Sequence, residues 1–284
     1  MSSSQSAYEK LEQRFARMAK LNHASTFLHW DQAVMMPEGG AETRAESLAE
    51  LHALGHELLT DAAVSDLLLE ADAGANALAP KELVNLQEMK RHWQQANCLP
   101  VDLVQAQSLA GSKCEHAWRQ QRPNNDWLGF SANLKEVLKL SREEAAHRQA
   151  AEPERFETPY DAMLDLYCVG DSSAFIANVF ADLKQRLPGL IGEVVEHQRS
   201  RAPLDLSGPF PEGEQQVLSR TLTEVLGFDY SRGRLDASVH PFSTGDFGDQ
   251  RITTRYSSDR FLEALRGTAH ETGHASYEAG LPAD

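Results

Sequence analysis

Apolar residues recur at spacings of three and four along most of the first 200 residues, the pattern of helices that bury one face. Near the N-terminus, Leu11, Phe15, Met18 and Leu21 form one such stripe. A break rich in proline and glycine follows at residues 36–40. The same periodicity predicts helices at about 42–70, from Pro80 onward, and at about 100–121, 128–150 and 172–199.

After about residue 200 the helical periodicity is interrupted, and prolines and glycines become more frequent. Prolines and glycines at 203–213 predict a long loop, and a short helix is expected at about 214–226. Two segments, 236–240 and 250–256, look extended, the second because β-branched residues are frequent in it. The polar residues 243–246 between them predict a turn. We therefore expect a small β element in this region.

The last predicted helix begins near Ser258 or Asp259, since either residue can cap a helix N-terminus, and it ends at Gly280. The fold class is therefore expected to be mostly α, with the small β element just before this helix. Two regions are expected. A helical N-terminal region spans 1–200, and a second region, 201–284, holds the β element and the last helix.

Composition narrows the possible functions of the 284-residue chain. The hydrophobic fraction of 41% and the charged fraction of 24% are ordinary for a globular protein. A net charge of −15 argues against nucleic-acid binding and against docking on anionic lipid, although an acidic balance also serves solubility alone. The cysteines Cys98, Cys114 and Cys168 are few and far apart, which favours a reducing compartment. With no apolar segment typical of a signal peptide or a membrane span, we expect a soluble cytoplasmic protein.

The last predicted helix carries an H-E-x-x-H motif, formed by His270, Glu271 and His274. Residues four apart lie on the same face of a helix, about 6 Å from each other along its axis, so both imidazoles can bind one zinc ion. Glu271 stands beside the first ligand, where a general base can take a proton from water activated by the metal. The motif therefore predicts a zinc-dependent peptidase.

A second interpretation of this motif is a pair of histidines on a solvated helix face. His52 and His56 have the same spacing, but Ala53 replaces the glutamate, and we expect these two to be surface histidines. His23 and His29 have aromatic and apolar neighbours and are expected to be packed or half-buried. The sequence holds no nucleophile elbow, phosphate-binding loop or dinucleotide-binding motif, so other catalytic classes find little support.

Three motifs together resemble those of the M32 family of metallocarboxypeptidases. The H-P-F motif of that family is matched by residues 240–242, its D-x-R-x-T motif by residues 249–253 and its zinc motif by residues 270–274. The N-terminal stretch 28–44 and the segments 125–126 and 158–165 also resemble the family. The resemblance thus extends over nearly the whole chain.

This resemblance implies a largely helical, zincin-like peptidase with a groove, which releases single residues from peptide C-termini. Family members are typically homodimers and use zinc, sometimes cobalt. In that picture His270 and His274 bind the metal and Glu271 is the base. The other motif residues, which would shape the site or contact the peptide, are His240, Asp249, Arg251 and Thr253. Arg251 could grip a carboxylate bidentately, or it could form a structural ion pair with Asp249 or another acid.

The chain departs from the family after the zinc motif. The third metal ligand of the family, a glutamate on a following helix, has no counterpart here, and neither do two downstream motifs. Glu278 shares a helix face with His274, but it lies about 12 Å along the axis from His270, so one ion cannot reach all three. Asp284 stands at the end of the sequence. We therefore expect an N-terminal portion that binds metal poorly and has little or no peptidase activity.

Two further alternatives stay open at this point. The H-E-x-x-H motif alone does not decide which peptide end is cut, so an endopeptidase or an aminopeptidase is possible. The chain could also be a non-catalytic helical fragment that acts through protein association. The H-P-F and D-x-R-x-T motifs favour the carboxypeptidase.

Overall fold

The computed structural model describes residues 5–202 and 208–282. The chain forms two compact units. The first unit combines Met1–Ala63 with Leu204–Asp284, and the second is Val64–Pro203. The division into regions 1–200 and 201–284 stays a prediction.

Two helices form the N-terminal part of the first unit. They are α1 (Ala7–Val34) and α2 (Ala41–Thr60), with a short 3₁₀ helix (Glu38–Gly40) between them. Leu11, from the predicted apolar stripe, is fully buried. Arg14 donates a hydrogen bond of 2.9 Å to the carbonyl oxygen of Leu58, and Arg44 donates one of 2.8 Å to that of Leu28. These bonds hold the two helices against each other.

The single helix expected at about 42–70 is two helices, so that prediction was wrong in its extent. After α2 the chain turns at Asp61, and α3 spans Ala62–Ala73. The Asp61 carboxylate accepts a hydrogen bond of 2.8 Å from the backbone N–H of Ala63, which satisfies a free donor at the start of α3. The apolar periodicity continues across this break, and for that reason it did not reveal the break.

The second unit is helical throughout its regular structure. Its further elements are a 3₁₀ helix (Ala75–Ala77), α4 (Pro80–Asn97), α5 (Val101–Gln121), α6 (Trp127–Ala151), α7 (Pro159–Leu164) and α8 (Ser173–Arg199). The sequence did not predict the short α7, which Thr158 and Asp161 cap reciprocally. No residue of α8 is buried, and Phe180, Leu187 and Ile191 are among its exposed apolar residues.

The first unit resumes with one helix and a small sheet before the last helix. The elements are α9 (Glu212–Val225), β1 (Gly233–Ala237), β2 (Ser243–Gly245), β3 (Gln250–Thr254) and α10 (Phe261–Ala279). The strand order is β1–β3–β2, with β1 parallel and β2 antiparallel to β3. The residues 243–246 that predicted only a turn therefore include a short edge strand. The loop expected at 203–213 lies partly outside the described residues.

The expected start of the last helix was also wrong. Its N-terminal cap is Arg260, without a capping side-chain bond, because residues 257–260 first close a turn. Its end at Gly280 is confirmed. The prediction of a mostly helical fold with a small β element before the last helix is confirmed as well. Among the described residues, no helix has the length and hydropathy needed to cross a membrane.

Candidate metal centre

The two histidines of the H-E-x-x-H motif converge on one point beside α10. Their Nε2 atoms lie 3.1 Å apart, and the ring centroids are 4.7 Å apart with the planes at 80°. Two zinc–nitrogen bonds of about 2.0–2.1 Å at a tetrahedral angle hold their nitrogens about 3.3 Å apart. Both rings are exposed on the helix surface. His270 and His274 therefore fit as two ligands of a single ion.

Glu271 differs from its neighbours in burial. It is only 7% exposed, whereas His270 and His274 are exposed. Thr272, the next residue, is buried and donates a hydrogen bond of 2.7 Å to the carbonyl oxygen of Thr268 within the helix. The motif thus combines a buried glutamate with two exposed histidines, one residue before it and three residues after it.

A third metal ligand does not join this pair within the described part of the chain. No group of three His, Cys, Asp or Glu side chains in residues 5–202 and 208–282 is arranged to hold a metal ion. Glu278 is exposed, and together with His274 it lines a cavity of about 230 Å³ that also borders β2. Asp284 lies outside the described residues.

Side chains alternate across β3, and the two faces of this strand have different partners. Gln250 and Thr254 bond to the main chain of α10, and Ile252 packs with Ala275 of that helix. Arg251, between them, instead contacts α1. Because successive side chains of a strand point to opposite faces, Arg251 does not share a face with the H-E-x-x-H helix.

The environment of Arg251 is that of a structural ion pair. Its guanidinium donates two hydrogen bonds, of 2.6 and 2.8 Å, to the two carboxylate oxygens of Asp249. It also lies 4.9 Å from the ring centroid of Phe27 and 4.6 Å from that of Trp30. The bond from Arg251 lowers the pKa of Asp249 below its usual value, against the opposing effect of burial. Of the two alternatives for Arg251, this geometry favours the ion pair with Asp249.

Thr253 fastens the loop that carries the H-P-F motif. Its side chain is fully buried, and its Oγ1 accepts a hydrogen bond of 3.0 Å from the Phe242 N–H. The Ser238 hydroxyl lies 2.8 Å from Thr253 Oγ1 and 2.6 Å from the carbonyl oxygen of His240. The His240 residue itself is exposed. Thr253 and His240 are thus brought together through Ser238.

The H-P-F loop also borders the motif helix. A Cβ atom placed on Gly267 of α10 would lie 3.5 Å from Pro241 Cγ and 3.4 Å from Thr254 Oγ1. Gly267 stands three residues before His270, so the absence of a side chain lets the loop approach the helix close to the first histidine. The structure therefore places the H-P-F loop, but not Arg251, against α10.

Comparisons with known proteins identify the family of the chain. The family model of carboxypeptidase Taq (M32) metallopeptidases matches residues 10–284. The chain belongs to the M32 family. It is 34% identical to thermostable carboxypeptidase 1 of Thermus thermophilus over 98% of this chain and 56% of that relative.

Solved structures of M32 proteins have the same fold. Metallocarboxypeptidase 1 of Trypanosoma cruzi superposes with a TM-score of 0.92 at 34% identity, over 97% of this chain and 55% of that one. An M32 carboxypeptidase of Deinococcus radiodurans R1 gives a TM-score of 0.86 at 30% identity, over 98% and 55% of the two chains. The present chain therefore spans about half the length of the relatives that it matches. Membership in a family of metallopeptidases implies a divalent metal ion.

Sequence reasoning missed several residues that build this candidate site. Ser238 and Gln250 lie at positions that the motifs leave unspecified, and no spacing rule singles out Gly267. The exposure of His52 and His56 was expected and is confirmed. His23 and His29 are both exposed, contrary to expectation. The Nδ1 atom of His23 lies 2.9 Å from the Asp246 carboxylate in the turn between β2 and β3, and the His29 ring stacks on that of His52 with 5.7 Å between centroids.

Proposed function

We propose that this chain forms part of a zinc-dependent metallocarboxypeptidase that releases amino acids from peptide C-termini. The observation that carries the proposal is the 3.1 Å approach of the His270 and His274 Nε2 atoms beside the buried Glu271. These two histidines would hold zinc, or cobalt in its place. Imidazole nitrogen suits both metals, and membership in the M32 family supports the reaction class.

Each chemical step of peptide hydrolysis has a candidate among these residues. A bound zinc ion supplies Lewis acidity, which makes water at the site more acidic and polarises the peptide carbonyl. Glu271 accepts the proton of the water that attacks the carbonyl carbon. It then donates this proton to the amide nitrogen as the C–N bond breaks, which leaves a free amino acid and a shortened peptide. The low exposure of Glu271 keeps its carboxylate away from competing bulk water.

The peptide would lie along the free edge of β2. In the sheet order β1–β3–β2, this strand has a partner on one side only within the described residues, and Ser243 and Thr244 line the cavity beside His274. An extended peptide can add to such an edge through backbone hydrogen bonds. His240 would shape the site from the H-P-F loop, which Thr253 holds in place. Asp249, which directly precedes β3, and Arg251 within it would act by fixing this strand.

The number of ligands supports a second candidate function. Two protein ligands make a weak zinc site, because catalytic sites normally use three together with water. We therefore propose that this 284-residue chain alone binds metal weakly and turns over little substrate. A non-catalytic role through protein association is the alternative, and the exposed apolar residues of α8 favour it. An endopeptidase or aminopeptidase specificity is a further alternative within the same chemistry.

The test combines zinc affinity with product analysis. Zinc binding is measured by competition with a chromophoric chelator for the wild type, His270→Ala and His52→Ala. The His52 variant is a matched control, since His52 and His56 have the same spacing without a glutamate. We expect His270→Ala to lose the site and His52→Ala to retain it. Equal binding by all three proteins would contradict the metal site.

Product analysis then separates the specificities. A peptide with a free C-terminus and the same peptide with an amidated C-terminus are incubated with high concentrations of the zinc-loaded chain and of its Glu271→Gln variant. Release of C-terminal residues from the free peptide alone, absent in the variant, is expected for a carboxypeptidase. Internal cleavage of both peptides would favour an endopeptidase. No cleavage by a chain that binds zinc would favour the non-catalytic alternative.

Two other statements about the protein stay predictions. Its composition predicts a cytoplasmic location, and the family resemblance predicts a homodimer. Size-exclusion chromatography with light scattering measures the second directly.

A further inference from the structure

Two side chains of β3 hold the main chain of α10 at two points. Gln250 Nε2 donates a hydrogen bond of 2.8 Å to the carbonyl oxygen of Ala275, and Thr254 Oγ1 donates one of 3.1 Å to that of Ala264. Both donors are buried, with 6% and 0% exposure. The strand and the helix run in opposite directions, so the first residue of β3 meets the late part of α10.

The distance between the two hydrogen bonds is similar when it is measured along the strand and along the helix. Four residues of strand cover about 13 Å, and the 11 residues from Ala264 to Ala275 cover about 16 Å of helix. The stretch of α10 between the two bonds contains His270, Glu271 and His274. The Gln250 bond falls on the residue that directly follows the second histidine. Of the two hydrogen bonds, this one is therefore the nearer in sequence to a candidate metal ligand.

The surroundings leave space for the Gln250 carboxamide. Gln250 pairs in register with Gly233 of β1 and with Gly245 of β2. Neither neighbour carries a side chain, so no cross-strand side chain competes with the carboxamide at this level of the sheet. The position of Ala275 is also fixed by packing, because its side chain lies in a buried cluster with Ile252 and Phe228. The carboxamide and this cluster together determine how α10 is rotated at His274.

We infer that Gln250 is a positioning residue for the metal centre, which holds His274 in the orientation that meets His270. This inference rests on the proposed metal-binding function of the two histidines. Gln250 lines the cavity beside His274, but its carboxamide is engaged by the Ala275 carbonyl oxygen, so it acts on the metal centre through the helix backbone. Without this bond, α10 can rotate or shift along the sheet near His274. The Nε2 atoms of His270 and His274 then no longer lie close enough to bind one ion. Groups that orient ligands from outside the coordination sphere typically change metal affinity by about 10–100-fold, and an action through the backbone places Gln250 at the lower end.

The experiment uses the full chain and a volume-conserving variant, Gln250→Met. The matched control is Gln149→Met in the second unit, which removes a similar bond from a glutamine side chain to the carbonyl oxygens of Phe156 and Glu157. Zinc affinity is measured by chelator competition, and the ligand geometry is followed by the visible absorption of added Co²⁺. Hydrogen exchange of the α10 amides is measured on the metal-free proteins.

We expect Gln250→Met to weaken zinc binding about tenfold, to change the Co²⁺ spectrum and to speed exchange near His274. Gln149→Met should change none of these. Gln250→Asn, whose side chain is one methylene too short to reach Ala275, should behave like Gln250→Met and serves if the methionine variant does not fold. Unchanged zinc affinity and spectrum in both Gln250 variants, with binding abolished by His270→Ala, would overturn the positioning role and leave the metal site intact.

Failure of the metal site has a different signature. If the wild type and His270→Ala bind zinc equally, the proposed function fails, and the exchange measurement alone decides the role of Gln250. Faster exchange of the amides near His274 in Gln250→Met than in Gln149→Met then supports the hold on the helix. Equal exchange in the two variants overturns it.

Discussion

The guanidinium of Arg251 lies 4.6 Å from the ring centroid of Trp30, although the two residues are far apart in sequence. Trp30 is buried in α1, and Arg234 of the neighbouring strand lies 5.1 Å from the same ring. The indole therefore joins the first helix to the two strands β1 and β3. The D-x-R-x-T motif, which the family resemblance links to the shape of the site or to peptide contact, thus also stabilises the packing of the N-terminal helix.

The contact between Arg251 and Trp30 should contribute measurably to stability. In a double-mutant cycle of Arg251→Met and Trp30→Leu, we expect a coupling energy of about 1 kcal/mol, as for a partly desolvated cation–π pair. Urea unfolding of the four proteins measures it. The exposed pair Arg186 and Asp182 on α8 is the control, for which coupling should stay below about 0.5 kcal/mol. Coupling near zero at Trp30 would contradict the structural role of Arg251.

Replacing Thr253 by valine should loosen the H-P-F loop. The variant keeps the side-chain shape but removes the hydroxyl that bonds to Ser238 and to the backbone of Phe242. Loss of these buried partners should cost about 1–3 kcal/mol and speed hydrogen exchange at residues 238–242. Thr253→Ser retains the hydroxyl and should keep most of the protection. Equal hydrogen exchange in the valine and serine variants would show that the Thr253 hydroxyl does not hold the loop in place.

Gly245 should not tolerate alanine. Its φ of +113° is a conformation that side chains disfavour, and an added Cβ would collide with the carbonyl oxygen of Asp249. We expect Gly245→Ala to lower the free energy of unfolding by about 1–3 kcal/mol and to disturb the edge strand β2. Gly189→Ala in α8, where nothing lies within 4 Å, should instead stabilise by up to about 1 kcal/mol. Thermal unfolding compares the two, and equal effects would contradict the collision.

Asp161 should make the protein acid-sensitive. The Thr158 hydroxyl and the Ser173 N–H bond to its carboxylate and lower its pKa to about 2. Because the folded pKa is lower than the usual 3.8, the contribution to stability is complete above pH 4 and is lost as the pH falls towards 2. Asp161→Asn weakens these bonds to a charged carboxylate, so it should be less stable by about 1 kcal/mol at pH 7 and should lose less stability on acidification. Urea midpoints at pH 7, 4 and 3 measure this, with the exposed Asp66→Asn as control.

Local sequence signals were sufficient for most of the helices. The bounds expected for α5 and α6 agree with the structure to within one residue, since an amphipathic stripe and the flanking proline or aspartate mark each helix. The same signals failed where a single polar residue decides the outcome. At Asp61 one helix ends and the next begins, but the period of the apolar residues does not change there. In β2, three residues are too few to show the alternation of a strand.

Of the candidate site, only the convergence of the two motif histidines was predictable from the sequence. The spacing of His270 and His274 requires a common helix face, and their nitrogens do converge. The partners of Arg251 were not predictable, because Trp30 and Phe27 reach it through long-range packing that no local pattern records. The contribution of Gln250 was equally hidden, since its target is a backbone carbonyl.

The discontinuous first unit has a consequence for synthesis on the ribosome. Helices α1 and α2 are synthesised before the second unit, but the strands whose arginines pack on Trp30 follow only after Val64–Pro203 has been made. At about 5–20 residues per second this interval lasts about 7–28 s. The second unit can fold during that time, because its contacts lie within one continuous segment. Completion of the first unit must wait for β1 to β3 and α10, so the helix that carries His270 and His274 can pack only after the second unit has been made.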